Sequence, residues 1–273
     1  NLGLIADPVF ANPENFGSDA IIIATLAFTV QIYCDFSGYV AIALGAARML
    51  GIRLSVNFNN PYFSSSITNF WRRWHITLSN WFRDYLYKPI GGSRRGNLRM
   101  YTGIAVVFIV SGVWHGANFT FVAWALIHLI FVMLEKTMGI KRQDELVKLN
   151  FWSLTNWLST ILIVITAWIF FRAKNLDDAF LMIFKIINSP MSLEWILNFG
   201  NELSAAQLPN LWIGFFAAIF VFFLEYLWGI KAYRDQADIW IAQSKGAVWS
   251  FSLTLAILVL GNFGRSSFIY FQF

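Results

Sequence analysis

The chain has 273 residues, of which 58% are hydrophobic and only 13% are charged, whereas an average soluble domain is roughly a quarter charged. The apolar residues form long runs without Asp, Glu, Lys or Arg, and several runs reach the ~18–20 residues that a helix needs to cross hydrocarbon. These runs are residues 20–34, 100–134, 149–171, 203–224 and 246–264. The pattern argues against a soluble enzyme, a secreted disulfide scaffold and a nucleic-acid-binding domain, and it predicts a polytopic membrane protein.

The positive charge of the chain is concentrated in one segment. The formal net charge is +5, yet residues 72–99 hold seven arginines and lysines against one acid, Asp84, and so carry +6 by themselves. A basic segment between apolar spans is typical of the cytoplasmic side of a membrane protein and suits anionic lipid headgroups. We therefore expect membrane lipids, and no nucleic acid, as partners of this segment.

The first predicted elements are a loop and a long helix. Residues 1–19 contain two prolines and two glycines and are predicted to be a loop. Residues 20–47 are predicted to be an apolar helix interrupted by Asp35, with Ser37–Gly38 as the expected site of a kink or break. Because residue 1 is Asn and no signal peptide precedes the first span, we expect that an N-terminal portion is missing and that residues 1–273 are the C-terminal part of one longer transmembrane domain.

An amphipathic basic segment is predicted at residues 64–99. Within it, residues 64–88 repeat apolar side chains at three- and four-residue spacing, while the arginines fall mostly on other sides of the helix. The apolar side consists of Phe70, Trp74, Leu78, Trp81, Phe82 and Tyr85. A helix of this kind lies at the membrane interface or dips partly into the membrane.

The uncharged run at residues 100–134 is too long for one ordinary span. Its 35 residues would make a helix of about 52 Å at ~1.5 Å per residue, against a hydrocarbon core of ~30 Å. We predict a helical hairpin that breaks at Trp114–Asn118, with short legs at 101–114 and 118–134 that leave His115 at depth in the membrane. A single over-long, tilted helix is the alternative.

The rest of the chain predicts further helices. Residues 153–171, 209–228 and 247–263 are expected to span the membrane, and residues 176–200 to lie along its surface. The predicted fold class is therefore all-α and polytopic.

Ionisable side chains inside membrane spans are costly, so they suggest function. The sharpest candidate is His115, which lies in the longest uncharged run and is followed by two small residues. An imidazole titrates near neutral pH and can accept a proton from a hydroxyl or thiol nucleophile. The structural alternative, given equal weight, is a buried histidine bonded to a neighbouring carbonyl group.

Four other ionisable residues have structural alternatives of similar or greater weight. His75 fits an interfacial histidine among headgroups as well as a catalytic one. His128 is about 140° around a helix from His115 at ~100° per residue, so packing or a pore wall suits it better. Asp35 fits an intramembrane salt bridge, a partner for a histidine or a cation site. Glu225 is close to the end of a span and is expected to reach water.

Several longer motifs resemble the membrane-bound O-acyltransferases, and most closely their alginate O-acetyltransferase branch. The strongest are Asn69–Ser79, which reads NFWRRWHITLS, and Trp81–Gly92, which reads WFRDYLYKPIGG. Ser111–Asn118, which reads SGVWHGAN, resembles the element that carries the active-site histidine of that family. Asp35–Tyr39 and the ending Phe268–Phe273 also resemble the branch.

The resemblance implies a ring of membrane helices around a central tunnel in a thinned membrane. It implies His115 as the active-site base and His75 as a second polar residue that faces it. It also implies no permanently bound cofactor, because the acyl group comes from a thioester donor, either acyl-CoA or an acyl carrier protein. The chain departs from the pattern at Asn69, where an acid is common, and at Val40 and Ala41, where Ser-Asp is usual.

Around the two histidines we expect other residues to line the substrate tunnel, namely Trp114, Asn118, Ser111, Asp35, Trp71, Arg72 and Arg73. His75 would either hydrogen-bond the reacting carbonyl group or orient the nucleophile. Arg72, Arg73 and Arg94 are suited to attracting a phosphate-bearing donor, although positive-inside topology and lipid contact explain any one of these arginines as well.

The sequence hypothesis is a multi-pass enzyme of the bacterial inner membrane that transfers an acyl group, most simply acetyl, to an exported polysaccharide, directly or through an extracytoplasmic partner. D-alanyl transfer to teichoic acid and O-acetylation of peptidoglycan are the alternatives within this class. A transporter or scaffold without chemistry of its own is the alternative from another class.

Overall fold

The computed structural model describes residues 2–140, 151–188 and 207–229, and the regular structure within them is entirely helical. The helices are α1 (Gly3–Ala11), α2 (Ser18–Met49), α3 (Ile67–Arg73), α4 (Ile76–Phe82), α5 (Lys88–Ile90), α6 (Asn97–His115), α7 (Phe119–Thr137), α8 (Phe151–Arg172), α9 (Leu176–Asn188) and α10 (Gln207–Gly229). Within the described ranges, α2, α6, α7 and α8 are long and apolar enough to cross a membrane. The prediction of an all-α polytopic membrane protein is confirmed.

The start of the chain is helical, contrary to the predicted loop. Helix α1 contains Pro8 in its interior, where proline normally breaks a helix because it lacks an N–H group and its ring crowds the preceding turn. Burial of its apolar side overrides this local preference: Phe10 of α1 packs against Phe28 of α2 with ring centroids 5.7 Å apart. Helix α2 also runs unbroken through Ser37–Gly38.

The predicted amphipathic helix at 64–88 is wrong as a single element. Helix α3 ends at Arg73 and α4 begins at Ile76, because His75 between them adopts the left-handed conformation with φ 45° and ψ 53°. The turn divides the expected apolar side into two parts. Phe70 and Trp74 are buried before it, whereas Trp81 is half exposed after it.

Where a hairpin is predicted at 100–134, the structure has two helices with a break at Gly116–Asn118, and both helices are longer than the predicted legs. Helices α6 and α7 each contain 19 residues, or about 28 Å at ~1.5 Å per residue. They approach closely at Gly112, where an added Cβ would lie 2.9 Å from the carbonyl oxygen of Phe121. The hairpin thus holds His115 at the end of a rigid leg.

Helix α7 also holds α3. The Glu135 carboxylate accepts hydrogen bonds from the backbone N–H groups of Ile67 and Thr68 at the start of α3, where a negative charge is favoured. Helix α3, which precedes His75, and helix α7, which follows His115, are therefore connected directly by hydrogen bonds. The part of the predicted surface segment after residue 188, the span at 247–263 and the C-terminal motif lie outside the described residues.

Candidate active site

His115 is the last residue of α6, and its ring is surrounded by aromatic side chains. Its centroid lies 5.0 Å from Trp124 and 5.0 Å from Phe171, each in an edge-to-face arrangement, and 4.8 Å from Trp114. Trp124 and Phe171 are buried, whereas Trp114 is 55% exposed. The imidazole is thus partly buried in a wall of low polarity, which excludes water from one side of it.

His75 lies at the turn between α3 and α4 and is fixed from two sides. Phe36 of α2 packs against its ring with centroids 4.8 Å apart, and the Oδ1 atom of Asn57 lies 3.3 Å from its Nδ1 atom. Left-handed backbone at a residue other than glycine costs roughly 1–2 kcal/mol, so surrounding contacts must hold it there. Burial lowers the pKa of His75 from its ordinary value of 6.5 to about 4, and the ring is therefore neutral near pH 7.

The fold brings the two histidines toward each other from distant parts of the chain. Their imidazoles are close enough to interact electrostatically. An aromatic path joins their surroundings: Trp74, next to His75, contacts Trp168 at 5.2 Å, and Trp168 contacts Trp124 at 6.2 Å. The resemblance predicted that the two residues face each other, and their proximity is consistent with that prediction.

A cavity of about 750 Å³ opens beside this pair. Among the predicted tunnel residues, Trp71, Arg72, Arg73 and Ser111 line it. Neither histidine does. The cavity reaches Ile76, the residue after His75, and Ser111, which lies one helical turn before His115 on α6. It therefore ends next to the histidine pair rather than containing it.

The walls of the cavity are basic. Arg83 and Lys136 line it together with the arginines of α3. Arg73 is buried, and it donates hydrogen bonds to the Asn69 side chain and to the carbonyl oxygen of Asn59. Arg94, by contrast, is exposed on the turn before α6. Arg72 and Arg73 therefore line the cavity whereas Arg94 does not, a difference that could not be predicted from the sequence.

The other predicted tunnel residues have different surroundings. Asn118 donates a hydrogen bond to the carbonyl oxygen of Lys174 at 2.8 Å and accepts one from the N–H group of Thr120, so its side chain connects and caps helices. Asp35 pairs with Gln31 one turn earlier on α2. These contacts are structural, and a substrate role for either residue stays a prediction.

His128 is fully buried in α7. Its ring stacks on Phe70 with centroids 6.0 Å apart and meets the edge of Trp71 at 5.1 Å. Its nitrogens have no hydrogen-bond partner within the described part of the chain. The packing role expected for His128 is consistent with these contacts. The side chain of Glu225 lies outside the described residues.

Sequence reasoning missed two residues that position the site. Neither Asn57 nor Glu135 was among the predicted site residues. Both act on α3 or the turn after it, 18 and 68 residues away. A cluster of three asparagines at 57, 59 and 60 was the only local signal for the first contact, and nothing in the sequence signalled the second.

Comparison with known proteins places the chain in a family. Residues 17–176 match the model of MBOAT, the membrane-bound O-acyltransferase family. A protein named "Probable alginate O-acetylase AlgI" from Pseudomonas aeruginosa is 36% identical over 239 residues, which cover 86% of this chain and 42% of the relative. The chain thus spans less than half the length of this relative.

Two further relatives carry other names. A peptidoglycan O-acetyltransferase from Helicobacter pylori is 41% identical over 159 residues, covering 58% of this chain and 29% of the relative. A teichoic acid D-alanyltransferase from Bacillus subtilis is 33% identical over 112 residues, covering 38% of this chain and 28% of the relative. The family match extends from α2 through the hairpin to the start of α9 and includes both histidines. The chain belongs to the membrane-bound O-acyltransferase family.

Proposed function

We propose that the protein transfers an acetyl group from a thioester donor on the cytoplasmic side of the bacterial inner membrane to hydroxyl groups of an exported polysaccharide. The observation that carries this proposal is that His75 and His115, each at a helix break, lie at the two ends of one aromatic path through Trp74, Trp168 and Trp124. The names of the relatives support acyl transfer to an envelope polymer, and the alginate O-acetylases match most of this chain.

His115 is assigned the role of general base. Its ring nitrogen takes the proton of the acceptor hydroxyl group while the hydroxyl oxygen attacks the thioester carbonyl carbon. A C–O bond forms and the C–S bond breaks, and the proton passes from the imidazole to the departing thiolate, so charge and atoms balance. General-base catalysis of this kind contributes ~10²–10⁴-fold, and the aromatic wall limits competing hydrolysis by excluding water.

The basic cavity is assigned to the donor. Its volume of about 750 Å³ and its cationic lining suit a phosphate-bearing thioester. Arg72 and Lys136 are exposed enough to meet phosphate oxygens, and Ser111 marks the end of the cavity that approaches His115. Coenzyme A and a phosphopantetheinyl carrier protein present the same phosphate chemistry to these residues.

The acceptor end is proposed to lie outside the cytoplasm, where an esterase-like partner completes the transfer to the polymer or the polymer is acylated directly. D-alanyl transfer and peptidoglycan acetylation are less favoured, because the teichoic acid D-alanyltransferase and the peptidoglycan O-acetyltransferase match smaller parts of this chain. A transporter without chemistry needs no paired histidines at helix breaks.

The test uses the full-length protein in membranes with either radiolabelled acetyl-CoA or acetyl-loaded acyl carrier protein. We expect His115→Ala to abolish label transfer and His75→Ala to lower it strongly, each with normal membrane abundance. His128→Leu is the matched control, since it removes a histidine that only packs, and it should retain activity. Unchanged transfer by His115→Ala would contradict the proposal. Donor accumulation without transfer by the wild type would support a transporter instead.

A further inference from the structure

The side chain of Asn57 is held against His75 by an unusual set of contacts. Its Oδ1 atom accepts hydrogen bonds from the backbone N–H group of Thr77 at 3.0 Å and from the Thr77 hydroxyl group at 2.9 Å. The same atom lies 3.3 Å from Nδ1 of His75. Three polar groups that lie on the turn into α4, or just after it, therefore converge on one oxygen.

The backbone fixes Asn57 in this place. Its carbonyl oxygen accepts a hydrogen bond from the N–H group of Ile76 at 3.0 Å, and the N–H group of Asn59 donates to the carbonyl oxygen of Arg73 at 3.0 Å. The segment 57–59 is thus bonded to the chain on both sides of His75. The Asn57 side chain has little freedom to leave the imidazole.

These contacts determine which nitrogen of His75 carries the proton. A backbone N–H group can only donate, so the Asn57 atom that faces Thr77 must be the amide oxygen rather than the amide nitrogen. An oxygen with no hydrogen of its own can face Nδ1 of a histidine favourably only if Nδ1 is protonated. In a neutral imidazole the other nitrogen, Nε2, then has a free lone pair.

We propose that Asn57 is a positioning residue that holds His75 as the Nδ1–H tautomer, so that its Nε2 atom acts as a hydrogen-bond acceptor. The role in catalysis rests on the proposed acyl transfer. A neutral Nε2 without a proton cannot donate to the thioester carbonyl oxygen, but it can accept from the acceptor hydroxyl group. Of the two roles open for His75 on sequence grounds, the geometry selects orientation of the nucleophile.

Two other observations support an imidazole of His75 whose orientation and protonation state are fixed by its surroundings. The edge-to-face contact with Phe36 limits rotation of the imidazole, and burial keeps the ring neutral near pH 7 because it lowers the pKa of His75 to about 4. In serine proteases, the carboxylate that bonds the catalytic histidine likewise fixes its tautomer, and its replacement by an amide lowers kcat by about 10⁴-fold because the wrong tautomer forms. An amide oxygen is a weaker anchor than a carboxylate, so a smaller effect is expected here.

The direct test is the tautomer of His75 in the full-length wild-type protein with ¹⁵N-labelled histidine, read by solid-state NMR. His75→Gln identifies the signals by their disappearance. A protonated Nδ1 and an unprotonated Nε2 are expected, and an Nε2–H tautomer would overturn the proposal. This measurement does not depend on activity, so it stands even if the protein transfers no acyl group and the proposed function fails.

The kinetic test compares three variants. Asn57→Ala should lower kcat by about 10- to 100-fold with little change in the donor KM, since a partner that orients a functional histidine has an effect of this size. Asn57→Asp keeps an acceptor oxygen and should stay within about threefold of the wild type. Thr77→Ala removes the hydroxyl donor to Asn57 but keeps the backbone donor, so a smaller loss than in Asn57→Ala is expected. Equal losses in Asn57→Ala and Asn57→Asp would contradict the positioning role.

Discussion

Gly112 offers the sharpest test of how the hairpin positions His115. In Gly112→Ala the new Cβ atom would lie 2.9 Å from the carbonyl oxygen of Phe121 and 3.0 Å from the Cβ atom of Ala125, whereas ordinary contacts begin at 3.4 Å. Helices α6 and α7 must therefore separate by roughly half an ångström, because a backbone carbonyl in a packed interior cannot rotate away. Overpacking of this kind costs about 1–3 kcal/mol of unfolding free energy.

The same displacement reaches the proposed base, which lies less than one helical turn after Gly112 on the rigid leg. Since a misplacement of ~1 Å costs about 10²-fold in rate, we expect kcat of Gly112→Ala to fall about tenfold. Acyl transfer and the unfolding free energy in detergent are measured together. Gly45→Ala on α2 is the matched control, because its new Cβ meets nothing within 4 Å and should stabilise the helix by ~0.5–1 kcal/mol. Wild-type rate and stability in Gly112→Ala would refute the reasoning.

Two further predictions concern charge. The pKa of His75 falls from 6.5 to about 4 on folding, so the unfolded chain binds more protons than the folded chain between these pH values. The free energy of unfolding should therefore fall as the pH drops from 6.5 to 4. His75→Gln should show a shallower fall, and equal slopes for the two proteins would contradict a neutral, buried His75 ring. Arg72→Gln and Lys136→Gln at the cavity should each raise the donor KM by about three- to tenfold, whereas Arg94→Gln, on the exposed turn, should leave it unchanged. Equal effects of all three substitutions on the donor KM would contradict a donor-binding role of the cavity cations and would leave membrane topology as their explanation.

The hairpin was predictable because two physical limits act on it. An uncharged run longer than the bilayer must break, and the sequence Gly116–Asn118 contains the residues that break helices. The leg lengths were not predictable from charge, since α6 begins before Arg99 and α7 continues through Glu135 and Lys136. Charged side chains end the apolar run without ending the helix, because they reach water while the backbone remains helical.

The break at His75 could not be predicted from periodicity. No glycine or proline lies between Ile67 and Phe82, and the apolar spacing continues through the turn. The left-handed conformation persists because partners distant in sequence hold it, namely Asn57 through hydrogen bonds and Phe36 through its ring. Such contacts exist only in the folded chain. The motif resemblance pointed to His75, but the reason for its geometry is tertiary.

Both proposed catalytic histidines lie where a helix stops, and this placement has a physical cause. A continuous helix satisfies its own backbone groups in the membrane and presents only its side chains, whereas a break frees N–H and C=O groups that need partners. At His75 the freed N–H group of Ile76 bonds the carbonyl oxygen of Asn57, whereas at His115 the N–H group of Gly116 bonds the carbonyl oxygen of Val113 within the last turn of α6. The break at His75 therefore concentrates polar groups beside an aromatic ring, and the break at His115 places the proposed base among aromatic rings. Acyl transfer requires this combination, since a base needs oriented polar partners and a thioester needs protection from water.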